Sequence, residues 1–72
     1  MQKIADMLLG NYRSRSWTTS VKLVRKNCAA FTYDKPFEFN GIVELTEKLL
    51  QMHNLKLDKI KLNETNFTVQ WF

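Results

Sequence analysis

The chain has 72 residues, a net charge of +4 and a pI near 9.5, which makes one domain spanning residues 1–72, with a single modest core. Hydrophobic residues make up 44% of it, and Pro and Gly together occupy three positions, so a disordered or low-complexity chain is excluded. The lone cysteine, Cys28, has no partner for an intramolecular disulfide, which points to a reducing compartment.

From the N-terminus, Met1, Ile4, Ala5 and Leu8 recur at helical spacing, and Gly10 is a natural stop. This predicts a short first helix over Met1 to Leu9, followed by a polar loop from Asn11 to Ser16. At Trp17 the period changes to two. Trp17, Thr19, Val21 and Leu23 share one face, and Thr18, Ser20, Lys22 and Val24 the other. Arg25-Lys26-Asn27 reads as a turn, with Asn27 the residue most tolerant of positive φ. Ala29, Phe31 and Tyr33 then alternate with Cys28, Ala30 and Thr32, completing a hairpin.

Asp34-Lys35-Pro36 ends the second strand, because proline cannot donate to a ladder. Asn40 is a suitable N-cap for a long helix over Gly41 to His53, with Ile42, Leu45, Leu49 and Met52 on its apolar stripe. Asn54 closes it in a left-handed conformation. Leu55 and Leu57 alternate with Lys56 and Asp58, after which Ile60 and Leu62 switch parity. A bulge near Asp58-Lys59 keeps all four aliphatics facing the core. Asn63 to Asn66 is a turn cluster, and Phe67, Val69 and Trp71 form a last alternating strand.

The order α-β-β-α-β-β predicts an α+β fold. It is a small two-layer sandwich, a four-stranded, mainly antiparallel sheet with the long helix on one face. The other face is open, or covered by the first helix or by a second copy of the chain. The segment from Phe67 to Phe72 carries no charge. An uncharged edge is an association hazard, so this strand is central or covered by a partner.

Chemistry-bearing constellations are scarce. One His and one Cys, His53 and Cys28, make neither a metal site nor an oriented dyad. Gly10 and Gly41 stand alone, so there is no phosphate loop. The triplets Asn63-Glu64-Thr65 and Asn66-Phe67-Thr68 read as turn chemistry rather than glycosylation acceptors. The run Met7-Leu8-Leu9 is too short for a signal-peptide core, and nothing approaches a membrane span. These features predict a soluble, cytoplasmic protein that is not an enzyme and takes no cofactor or metal.

Charge is the remaining signal. Residues 1–35 hold seven basic and two acidic side chains, a net of +5, whereas residues 36–72 hold four and five, a net of −1. Between Met7 and Tyr33 there is no acidic residue, yet Arg13, Arg15, Lys22, Arg25 and Lys26 all occur there. A basic half beside a near-neutral one predicts an attractive face for phosphates. The expected interface joins those five cations along one rim, with Tyr12 and Tyr33 as the exposed aromatics for stacking. Trp17, Phe31, Phe67 and Trp71 are assigned to the core. The predicted function is a small DNA- or RNA-binding protein or regulator, or one docking on an acidic protein surface. The alternative is a small protein-binding inhibitor or adaptor of viral (phage-like) or mobile-element type. It would use an aromatic sheet face or the terminal strand edge, by protein–protein interaction that includes homodimerisation.

Overall fold

A computed structural model describes residues 2–18, 20–33 and 38–72. The elements are α1 (Gln2–Ser14), β1 (Ser20–Arg25), β2 (Cys28–Thr32), α2 (Phe39–Gln51), β3 (Leu57–Leu62) and β4 (Asn66–Trp71). They form an α+β fold in which the four strands make one sheet of order β1-β2-β4-β3, every neighbouring pair antiparallel. β2 and β3 are thus parallel to each other, joined by a crossover through α2, and β4 fills the gap between them. The uncharged strand is therefore central, where its backbone groups are paired on both sides.

Both helices cover the same face of the sheet. α1 lies over β1 and α2 over β3. Ala5, Leu8 and Tyr12 from α1 meet Ile42, Leu49 and Leu50 from α2 above Ala29, Phe31, Phe67, Val69 and Trp71 of the two central strands. At the centre, the Tyr12 ring stands edge-on to Phe31 at 5.0 Å and to Phe67 at 5.5 Å, while Phe31 and Phe67 stack at 5.5 Å. Such aromatic pairs add about 0.5–1.5 kcal/mol each beyond the area they bury.

The structure departs from the sequence reading in several places. α1 does not stop at Gly10 but runs on to Ser14. A Cβ at Gly10 would meet nothing within 4 Å, so the glycine is a solvent-facing helical residue with no turn to make. Glycine weakens a helix interior by roughly 0.5–1 kcal/mol, and burying the Tyr12 ring outweighs that. The stop comes at Ser16, whose φ is 60°. The N–H groups of Ser16 and Trp17 reach back to the carbonyls of Arg13 and Tyr12, the paired bonds of a Schellman end. α2 ends the same way, with Asn54 at φ 61° and the N–H groups of Asn54 and Leu55 bonded to Gln51 and Leu50.

α2 begins at Phe39 rather than Gly41, with Glu38 and not Asn40 in the N-cap position. Thr18, grouped by alternation with the outward Ser20 and Lys22, is 6% exposed; Thr19 lies outside the described residues. The bulge anticipated at Asp58-Lys59 is present as a register shift between Leu57 and Lys59. It turns Leu57 and Ile60 toward the core, but Leu62 lies beyond the helical cover and is 50% exposed. The strand break at Asp34-Lys35-Pro36 falls outside the described residues.

Candidate functional site

Among the described residues no helix covers the second face of the sheet, and strand alternation determines what stands on it. Its rows follow from the register. Lys22 on β1 pairs with Ala30, Ala30 with Thr68, and Thr68 with Lys61 on β3. One row along, Arg25 pairs with Cys28, Cys28 with Gln70, and Gln70 with Lys59. Each row thus has a cation at both edges and short or neutral side chains between. Three strand spacings separate the two rims, roughly 14 Å.

The result is a shallow trough. A depression of about 260 Å³ on it is lined by Arg25, Lys59 and Lys61 with Val24, Cys28, Asn63, Thr68 and Gln70, and among the described residues no carboxylate lines it. Lys22, Arg25, Lys59 and Lys61 are all exposed. The Arg25 guanidinium donates to the Gln70 side-chain oxygen at 2.9 Å, which draws it inward over the floor. β1 and β3 each carry a register shift at the Cys28–Gln70 end, Val24 being the extra residue in one and Asp58 in the other. Bulges and charged side chains on edge strands discourage pairing with another chain.

The candidate residues named from sequence do not share one rim. Lys22 and Arg25 stand on the open face, and Lys26 is exposed in the β1–β2 turn beside them. Arg13 stands in the last turn of α1, and Arg15 lies over the Trp17 ring, 5.9 Å from its centroid. Arg15 and Trp17 line a separate cleft with Glu44, Leu45 and Lys48 of α2. Arg13 and Arg15 therefore belong to the helical layer, across the sheet from Lys22 and Arg25.

Neither tyrosine is a free stacking platform. Tyr12 is fully buried, and its hydroxyl hydrogen-bonds to the Thr46 hydroxyl. Burial pushes the Tyr12 phenol far above its ordinary pKa, the bond to Thr46 opposing this only in part. The Tyr33 ring packs beside Phe67 at 6.2 Å, and its hydroxyl donates to the Asn63 carbonyl at 2.6 Å and approaches that of Glu64 at 3.2 Å. It fastens the β3–β4 turn to the end of β2.

Lys59 and Lys61 lie outside the acid-free stretch that carries the basic signal in the sequence. Their outward placement was readable, since they flank Ile60 across the predicted bulge. That β3 forms the second edge of the sheet was not. Elsewhere, Cys28 is buried in β2 while His53 is exposed after α2. Among the described residues no group of three His, Cys, Asp or Glu side chains comes together, and no helix is long and apolar enough to cross a membrane.

Comparison with protein-family models, with curated proteins and with solved structures finds no match.

Proposed function

We propose that this protein is a small, non-enzymatic nucleic-acid-binding protein that holds backbone phosphates on the open face of its sheet. One observation carries the reading. Lys22, Arg25, Lys59 and Lys61 stand on both edges of a four-stranded surface whose depression, among the described residues, is lined by no carboxylate. Lys26, at the hairpin tip, extends the basic surface. Clustered Lys and Arg on one face supply the electrostatic part of nucleic-acid binding, which depends on salt through counterion release. A reducing, cytoplasmic setting accords with the single free thiol.

The adaptor alternative rested on an aromatic sheet face or on the edge of the terminal strand. The aromatic face lies beneath the two helices, and β4 has a neighbour on each side. An acidic protein remains a competitor for the same cations, and a negatively charged protein serves as the control ligand.

Fluorescence anisotropy with labelled DNA and RNA across a salt series tests the reading. Replacing Lys59 and Lys61 by Gln is expected to flatten the slope of log K against log salt by about 2, roughly one per lost phosphate contact. Arg13→Gln, on the opposite layer, should leave that slope in place. Equal loss from Arg13→Gln, or no binding at low salt, sinks the proposal.

A further inference from the structure

We infer that the trough seats the sugar–phosphate backbone of a duplex in preference to a single strand, and does so without reading base sequence. This rests on the nucleic-acid reading above and specifies the form of ligand.

Single-strand binders usually add stacking to charge, each base on an aromatic ring contributing about 1–3 kcal/mol. Among the described residues, no aromatic side chain lines the depression of this trough. Tyr12, Phe31, Phe67 and Trp71 are buried under the helices, and Tyr33 is held by Phe67 and the Asn63 carbonyl. Among the described residues, the exposed ring nearest in register is Phe72, 63% exposed. It stands past Gln70, paired through its backbone with Lys56 and outside the depression. With stacking absent, charge density decides between the two ligands. A B-form duplex releases more counterions per neutralised phosphate than a single strand, with slopes of about 0.9 and 0.7. Over four cations that difference gives roughly fivefold to tenfold tighter duplex binding at ~0.1 M salt, referred to 1 M.

Base readout needs free donors and acceptors aimed at base edges. The amides on this face each have one atom engaged within the protein. The Gln70 side-chain oxygen accepts from Arg25, and the Asn63 amide donates to the Asn66 side chain at 2.9 Å. The other central positions, Ala30 and Thr68, are too short to reach into a groove past the lysine rims. A volume near 260 Å³ is also below the roughly 300–1,000 Å³ of pockets that enclose a small ligand. A polymer ridge passing between two cationic rims needs no such enclosure.

The experiment compares one labelled DNA strand alone with the same strand in its duplex, and adds a second duplex of unrelated sequence. Binding of the wild-type chain and of Phe72→Ala is measured over a salt series. The expected result is tighter binding of the duplex, two duplex affinities within about tenfold of each other, and duplex binding unchanged by Phe72→Ala. Sequence readers discriminate by 10³ or more, so a preference beyond about tenfold overturns the claim of sequence independence. Equal or tighter binding of the single strand, or loss of duplex binding in Phe72→Ala, overturns the duplex assignment while leaving the phosphate-binding face intact. Failure to bind either form rejects that face itself.

Discussion

The Tyr12 hydroxyl meets the Thr46 hydroxyl in the interior, joining α1 to α2 across 34 positions of sequence. Both side chains are fully buried, so this polar pair is enclosed by the aromatic cluster and must satisfy itself. A buried hydroxyl left without a partner is destabilising by about 1–3 kcal/mol.

Removing one partner at a time should therefore have unequal effects. Thr46→Val strands the phenol and is expected to lower stability by about 1–3 kcal/mol. Tyr12→Phe should lower it by less, because a helical threonine can turn its hydroxyl to the carbonyl four residues back. The double variant should lose less than the sum of the two. Urea denaturation of the four proteins measures the coupling; strict additivity would mean that the hydroxyls do not interact.

The same phenol gives the protein an alkaline limit. Burial raises the Tyr12 pKa in the folded chain, whereas in the unfolded chain it ionises near pH ~10. Stability from keeping this group neutral is complete below that pH. It is lost as pH rises through the folded value, at about 1.4 kcal/mol per pH unit once the unfolded phenol is charged. The stability advantage of wild type over Tyr12→Phe should shrink steadily above pH ~10, as followed by denaturation at a series of alkaline pH values.

Gly10 is expected to be a site of easy stabilisation. It lies within α1, has no positive φ and offers open space to a Cβ. Gly10→Ala should stabilise the fold by roughly 0.5–1 kcal/mol. For a domain of this size, each kcal/mol raises Tm by about 4–8 °C. Calorimetry that found a lower Tm would show that the helix does not continue through this position.

Asn27 carries the opposite constraint. Its φ is 59°, and its carbonyl accepts the Trp71 N–H at 3.0 Å, tying the hairpin tip to β4. Asn27→Gly should leave stability within about 0.5 kcal/mol, while Asn27→Val should lower it by roughly 1–2 kcal/mol because a branched side chain disfavours the left-handed region. Thermal melts of both variants separate backbone strain from loss of the side chain.

Much of the local structure was legible in the chain. The alternating period from Ser20 onward, the left-handed residues Asn27 and Asn54, and the bulge beside Asp58 all follow from side-chain type and spacing. They involve neighbours a few positions apart. The absence of charge from Phe67 to Phe72 also sufficed to deny that strand an exposed edge without a covering partner. Where Gly10 misled, the clue was present: Tyr12 continues the stripe of Ala5 and Leu8 at helical spacing. The local cost of a glycine is smaller than the long-range gain from burying that ring.

By itself, then, the sequence determined the type and order of the elements, the face each turns to the core and the basic character of the molecule. Tertiary structure alone decided that both helices share one face, that β4 separates β2 from β3, and that Lys59 and Lys61 oppose Lys22 and Arg25 across the open sheet. It also took Arg13 and Arg15 off that surface and buried Tyr12. The physical reason is that period and turn chemistry act between near neighbours, whereas strand order is selected by which pairing buries the most apolar surface from distant parts of the chain. A site assembled from opposite edges of a sheet exists only once that selection has been made.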